Sequence, residues 1–515
     1  MAEPFYLTTA ISYPNGPPHI GHAYEAIAAD VVARFQRLMG RDVFFMTGTD
    51  EHGLKMAQAA RERDLEPAAL ADEMSSLFRQ MDEQLQISFD RFIRTTEPAH
   101  HRASQAIWKA MADKGDIYLG RYEGWYSVRD EAYYDADELV EADSGEKLSP
   151  QGTAVEWTVE ESWFFRLSAY QQPLLDHYAA HDFIRPESRR NEVLRFVEGG
   201  LSDLSISRTS FDWGVKVPGS ENHVMYVWLD ALTNYLTGVG YPDLVSETYR
   251  RFWPADLHII GKDVVRFHAV YWPAFLMSAG LPLPKQVFGH GHVLLRGEKM
   301  SKSAGNVVSP QGLAEAFGVD AVRYFLVRDV TFGQDGSYSP EAIVTRVNAD
   351  LANSFGNLAQ RTLSFIAKNL GGRLPGNPED GELLATVRRA TAEELPGHFE
   401  RLELSQGVEA WLRAVFACNQ YIDAEAPWAL RKTDPERMEA VLATLCAALI
   451  DLAIAIQPVV PAGAARLLDM MGVPAGERSF VALADPDRYA RLASSGITLQ
   501  TPQPIFPRLE LPSET

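Results

Sequence analysis

The sequence predicts an α/β protein: a doubly wound parallel sheet, interrupted by an insertion and followed by an all-helical region. Short apolar runs alternate with amphipathic helical stretches early in the chain, beginning with FYLTTAIS, a helix to about Met39, and VFFMTGT. Between about Ile117 and Val217 the texture changes to short aromatic strands, among them EGWYSV and EAYYDADEL. After Ser309 helical periodicity takes over.

Each element has its own reason. FYLTTAIS reads as a buried strand that feeds YPNGPPHIGH, a turn whose prolines deliver the chain into a long helix closed by Gly40. VFFMTGT is a second buried strand, and helices follow to roughly Gly115 with FIRTT as a short strand between them. Strand, helix, strand at this spacing makes parallel βαβ units. The aromatic strands and the acidic stretch Glu156–Glu161 read as an insertion between two halves of the sheet. The α/β pattern resumes in HVMYVWLDALTNYLTG, LHIIGKDVVRFHAVYWPAF and QVFGHGHVLL. Helices then run from SPEAIVTRVNADLANSFGNLAQRTLSFIAKN to near Leu468, with a Gly/Pro-rich linker, Leu370–Glu382, inside the helical region. The expected division is 1–116 and 223–298 for the halves of the sheet, 117–222 for the insertion, 299–347 for a connecting region and 348–515 for the helices.

Composition sets the outer bounds. A chain of 515 residues exceeds one core, since cores stop growing near ~250–300 residues. Hydrophobic content of 46% excludes a disordered chain. Met1–Thr9 lacks the basic start and apolar run of a signal peptide, and no apolar run of membrane-spanning length stands out elsewhere. Cys418 and Cys446 are the only cysteines, which rules out a disulfide framework and a Cys-rich zinc site. A cytoplasmic setting is expected. The net charge of −21 argues against a generic nucleic-acid coat, yet leaves room for one shaped RNA read by local contacts.

Two motifs carry chemistry. His19, Gly21 and His22 sit where a helix begins, and helix N-termini favour anions. Gly21 lets a ligand approach the backbone, and the imidazoles can donate to phosphate oxygens that gain charge in a transition state. The plain alternative is a proline-rich helix entry with incidental histidines; zinc is disfavoured because no HExxH or other ligand cluster accompanies them. The second motif, RGEKMSKSAGNVVSP, follows ~280 residues later and places Lys299 and Lys302 in a Gly- and Ser-rich stretch. Their ammonium groups suit a polyphosphate, although a solvated charged loop is the ordinary fate of such lysines. There is no GxxxxGK[ST] phosphate loop in the chain.

HIGH and KMSKS in this order are the two signatures of class I aminoacyl-tRNA synthetases. TTAISYPNG, TGTDEHG, YVWLDALTNY and IIGKDVVRFH resemble the methionyl-tRNA synthetases across nearly the whole chain. The insertion of about 100 residues is too short for the editing domain of the leucine, isoleucine and valine enzymes, and the cysteine enzyme's thiolate site is missing. The resemblance implies a Rossmann-like parallel sheet with an inserted connective domain, followed by an α-helical anticodon-binding domain. It implies a methionine–tRNA ligase, with L-methionine, ATP carrying Mg2+, and initiator and elongator tRNA(Met) as substrates.

Residue by residue, the resemblance assigns a methionine pocket to Ala10, Ile11, Tyr13, Trp228, Ala231, Leu232, Tyr235, Val264 and His268, with Asp50 on the ammonium group. Tyr13 and His268 can offer weak polar contacts to the thioether sulfur. Leu232 stands where many relatives carry proline. His19, His22, Lys299 and Lys302 take the catalytic roles, and Gly21, Gly261, Asp263 and Lys302 bind ATP. Homocysteine, one methyl short, is the expected error, since a methylene discriminates by only about 1–3 kcal/mol. Where relatives carry CxxC pairs in the insertion, this chain offers Ser127, Arg129 and Asp130, so no structural zinc is expected and aromatic residues should hold the knuckle instead. Asn357, Arg361 and Trp428 are assigned to the anticodon. A monomer with no membrane and no obligate protein partner is expected. The rival readings are another HxGH nucleotidylyltransferase and a synthetase-like tRNA-binding protein without catalysis.

Overall fold

The computed structural model describes residues 2–129, 132–142, 145–295, 309–379 and 381–511. Strand β1 (Pro4–Thr9) leads through the proline turn into helix α1 (Ile20–Leu38), followed by β2 (Asp42–Thr49) and β3 (Arg91–Arg94). The insertion opens with β4 (Ile117–Ser127) and β5 (Glu156–Phe165), paired antiparallel from Ile117 opposite Phe165 to Tyr126 opposite Glu156. Then come β6 (Ile184–Arg185), helix α2 (Val227–Thr237), β7 (Leu257–Gly261) and β8 (Val287–His290).

The main sheet is wholly parallel in the order β3-β2-β1-β7-β8-β6. β1 lies inside it, and residues 5–9 are buried, as expected for a parallel strand covered on both faces. From β1 the chain builds outward to β2 and β3, then returns on the other side with β7 and β8. That reversal opens a crevice beyond the carboxyl ends of the strands, where such sheets bind ligands. The backbone after β1 is pinned across it: Ala10 N–H donates to the Ile259 carbonyl at 3.0 Å, and Ser12 N–H to that of Gly48 at 2.9 Å. β6 falls within 117–222 yet pairs with β8, so the insertion returns to the main sheet before it ends.

The helical part begins with α3 (Val319–Asp329) and continues with α4 (Asn357–Asn369), α5 (Leu404–Glu425), α6 (Pro427–Thr433) and α7 (Pro435–Ile456). Sequence reading found no apolar run of membrane-spanning length, and α7 corrects this. Its most apolar stretch has a mean hydropathy of 2.1, long and apolar enough to cross a bilayer, the one such helix among the described residues. That stretch is 89% buried, and α7 packs on α5 as a core helix. Cys418 of α5 and Cys446 of α7 lie in the same core, where burial pushes both thiols up to about 12 and leaves them unreactive.

One buried guanidinium joins the halves of the molecule. Arg323 of α3 donates to Asp30 of α1 at 2.6 Å, with both side chains fully buried. It also donates to the carbonyls of Leu85, Pro458 and Val459. Asp30 takes further hydrogen bonds from Arg34 and Ser88, so neither charge is left uncompensated. The helix that carries HIGH is thereby tied to the turn after α7.

Candidate active site

The HIGH turn is a reciprocal cap. His19 is the N-cap of α1, and its Nδ1 accepts from Gly21 N–H at 3.1 Å. His22 Nδ1 accepts from His19 N–H at 3.1 Å. These bonds satisfy N–H groups that a helix start leaves open. The rings stack at 3.9 Å between centroids, and His22 meets Phe78 edge-on. A neutral imidazole whose Nδ1 accepts carries its proton on Nε2, so each ring has a donor on the side away from the cap. Gly21 has a reason that sequence reading missed: a Cβ there would stand 2.9 Å from His19 Cε1. The glycine makes room for the folded imidazole.

A cavity of about 320 Å³ lies beyond the carboxyl ends of β1, β2 and β7. All of Ala10, Ile11, Tyr13, Asp50, Trp228, Ala231, Leu232, Tyr235, Val264 and His268 line it, together with Gly21, His22, Gly261 and Asp263. His19 is not among the residues on its wall; its ring stacks on that of His22, which is. Lys299 and Lys302 lie outside the described residues. Sequence reading missed Ser12, Glu25, Lys55, Arg129, Val227 and Asn234, which also line the cavity. Glu25 was legible as the residue one helical turn after His22. Arg129 had no local signal, because only the folding of the insertion brings it to the cavity.

The apolar end is built on α2 and a π-helical turn, Phe267–Tyr271. Trp228 stacks on Phe267 at 3.8 Å with the ring planes within 5°. His268 Nδ1 donates to the Val264 carbonyl at 2.9 Å, and its Nε2 accepts from the Tyr235 hydroxyl at 2.7 Å. Burial pulls His268 down to about 4, which keeps the ring neutral. The Tyr13 hydroxyl donates to the His52 carbonyl at 2.9 Å and accepts from Met56 N–H at 3.2 Å. The Tyr13 hydroxyl and both His268 nitrogens are thus engaged in internal hydrogen bonds, and the His268 ring holds the Tyr235 hydroxyl.

The TGTDEHG stretch divides its labour. Asp50 is 7% exposed and lines the cavity, its N–H held by the Ser12 carbonyl at 2.9 Å. Glu51 turns inward to Arg94, and His52 donates toward Asp230 at 2.7 Å. His100 contacts the other Asp230 oxygen at 2.7 Å. Burial would raise the Asp230 carboxyl, but His52 and His100 override it and hold it well below the usual range. This buried network clamps the Asp50 loop against α2.

At the polar end, Asp263 Oδ2 lies 2.8 Å from His292 Nε2, and Lys262 pairs with Asp335 at 2.7 Å. Glu25 accepts from His290 Nε2 at 2.8 Å.

In the insertion, the knuckle is closed by hydroxyls as well as aromatics. Trp125 meets Trp157 at 5.4 Å, and the buried Thr153 Oγ1 lies 2.6 Å from Ser127 Oγ and 2.8 Å from Ser149 Oγ. Hydroxyl oxygens are poor zinc ligands beside thiolates. Among the described residues, no group of three His, Cys, Asp or Glu side chains is placed to hold a metal ion; Asp130 lies outside them.

Far from the cavity, Arg361 of α4 lies over the Trp428 ring at 5.3 Å and pairs with Asp423 at 2.6 Å. Trp428 is 47% exposed, so it is not a core tryptophan. The left-handed Ala426 and Pro427 turn it toward α4, where Arg361, Phe365, Lys368 and Trp428 border a pocket of about 280 Å³. Asn357 is exposed one turn earlier on α4, outside that pocket.

Known proteins match these features. Residues 5–363 match the family described as tRNA synthetases class I (M), and residues 372–512 match the anticodon binding domain of methionyl tRNA ligase. The boundary falls at the start of the Gly/Pro-rich linker. The methionine–tRNA ligase of Mycobacterium bovis is 56% identical over 519 residues, covering 99% of each chain. That of Brucella suis is 56% identical over 511 residues, covering 98% of each. Mycobacterium tuberculosis methionyl-tRNA synthetase in complex with methionyl-adenylate matches with a TM-score of 0.94 at 55% identity, over 98% of this chain and 100% of that one. Its free form matches with a TM-score of 0.88 at 51% identity, over 99% of each chain. The chain belongs to the methionyl-tRNA synthetases, within class I of the tRNA synthetases.

Proposed function

We propose that this enzyme activates L-methionine with ATP in the crevice between β1 and β7, then transfers the methionyl group to the 3′-terminal ribose of tRNA(Met), initiator and elongator alike. One observation carries the reading: a single cavity joins an apolar side-chain pocket to a carboxylate, Asp50, and to the HIGH turn with Asp263. The two substrates can meet there without crossing solvent.

In the first step a methionine carboxylate oxygen bonds to the α-phosphorus, and the bond from that phosphorus to pyrophosphate breaks. Asp50 pairs with the substrate ammonium, and Ala10, Ile11, Trp228, Ala231, Leu232, Tyr235 and Val264 enclose the thioether. The Nε2–H groups of His22 and His19 donate to phosphate oxygens as they gain charge. Gly261 lets the nucleotide lie close, and Asp263 accepts from its ribose. Lys302, helped by Lys299, holds the departing pyrophosphate. Magnesium enters bound to ATP and keeps most of its waters. In the second step the terminal 2′-hydroxyl attacks the activated carbonyl and AMP leaves. No enzyme nucleophile is needed; positioning and charge stabilisation supply the rate. Trp428, Arg361 and Asn357 read the CAU anticodon by stacking and edge hydrogen bonds, and the reaction runs in the cytoplasm.

Methionine-dependent ATP–pyrophosphate exchange tests the reading. Exchange that needs methionine and magnesium, followed by charging of tRNA(Met), is the expected result. Exchange without methionine would point to another nucleotidylyltransferase, and tRNA binding without exchange to a non-catalytic relative.

A further inference from the structure

Asn234 is fully buried, yet it lines the catalytic cavity. Its Nδ2 donates to the Ala231 carbonyl at 2.7 Å. That bond sets the amide's orientation, because the flipped amide would press Oδ1 against a carbonyl oxygen. Oδ1 is then left as a buried acceptor with no hydrogen-bond partner. Other polar side chains of α2 are engaged: Tyr235 with His268, Asp230 with His52 and His100, and the hydroxyls of Thr233 and Thr237 with carbonyls one turn back. Most buried acceptors in native proteins are satisfied, so an open one on a residue that lines a cavity is a place for a ligand to bring a donor.

The donor's chemistry follows from the neighbours. Ala231 and Tyr235 flank Asn234 along α2 and belong to the apolar wall, while Asp50 lines the same cavity. An α-amino acid whose side chain lies on that wall brings a primary ammonium whose three N–H bonds diverge tetrahedrally, so one carboxylate on one side cannot take all of them. A neutral amide oxygen adds a second acceptor without adding a second negative charge. We propose that Asn234 Oδ1 accepts from the substrate's α-ammonium beside Asp50, which makes Asn234 a specificity-determining residue for α-amino acids over deaminated analogues. The inference rests on the reading of this cavity as the methionine site.

The test compares two ligands on the full-length chain by tryptophan fluorescence or calorimetry. Methioninol carries the ammonium, and 4-(methylthio)butan-1-ol has the same skeleton without it. Asn234→Leu, close in shape but without an acceptor, should weaken methioninol at least about tenfold, in line with a lost hydrogen bond to a charged group. Binding of 4-(methylthio)butan-1-ol should stay within about twofold, and the KM for ATP should not change. Asn234→Asp, which keeps an acceptor oxygen, should retain most of the methioninol affinity. Should Asn234→Leu not fold, Asn234→Ala must show the same selective loss. Equal losses for both ligands, or a loss confined to ATP, would overturn the assignment. A wild-type chain that binds neither methioninol nor methionine would instead overturn the underlying reading, and this inference with it.

Discussion

The imidazoles of His19 and His22 stack at 3.9 Å, and each caps the same helical turn through its Nδ1. In the proposed mechanism, capping and phosphate binding share two rings but use opposite nitrogens. His22→Ala should lower the exchange rate by about 10²–10³, as expected for a lost transition-state donor, with methionine binding little changed. Gly21→Ala should also slow exchange, because its Cβ would collide with the His19 ring. Full exchange activity in Gly21→Ala would refute this account of the turn.

Acid should destabilise the protein through its buried histidines. Burial lowers His268 to about 4 and His258 well below its ordinary value. The unfolded chain takes up these protons near pH 6.5, whereas native His268 resists protonation until about pH 4. The unfolded state thus binds more protons in that window, so stability is full above it and falls as pH drops from 6.5 toward 4. His268 alone accounts for ~3 kcal/mol of that loss. Thermal midpoints across this range should fall less steeply for His268→Gln than for the wild type. Parallel profiles would exclude His268 as the source.

Anticodon reading should separate cleanly from activation. Trp428→Ala removes a stacking surface whose loss typically costs about 1–3 kcal/mol per base. Charging of tRNA(Met) should fall accordingly, while ATP–pyrophosphate exchange stays unchanged. Arg361→Ala should behave alike, because its guanidinium lies over the Trp428 ring.

Lys302→Ala should cut adenylate formation far more than methionine binding, measured by single-turnover kinetics and fluorescence titration. Equal losses in both would remove its assigned role on pyrophosphate.

Arg323 offers a stability prediction. Arg323→Met leaves Asp30 buried beside Arg34 and Ser88 but without its main countercharge, and frees the Pro458 and Val459 carbonyls. Breaking such a pair costs about 3–5 kcal/mol, so thermal inactivation should move to clearly lower temperature. Restoring volume by pairing it with Asp30→Leu should recover part of the loss.

Much of this protein was legible in local pattern. β1, α1, β2 and the histidine turn follow from apolar runs, prolines and a helix start, all of which act over a few residues. The cavity residues were assigned by motif resemblance, and the fold gathers those just after β1 and β2, on α2 and at the end of β7 around one space. Arg129 was read only as a knuckle residue, and Lys55 and Asn234 lie in or beside quoted motifs without a role, because which side chains reach the cavity is set by packing between distant segments. The apolar length of α7 did not stand out in the sequence, and its place as a buried core helix is decided by packing.

By itself the sequence determined the α/β class, the family and the chemical types gathered at the site. Those depend on periodicity and on residues held in fixed order. Only the tertiary structure decided which atoms are available for chemistry. It ties up the Tyr13 hydroxyl and both His268 nitrogens in internal bonds, folds His19 back over Gly21, and leaves the oxygen of the cavity-lining Asn234 without a hydrogen-bond partner. A side chain's type travels with the sequence; its hydrogen-bond partners are set by segments hundreds of residues away.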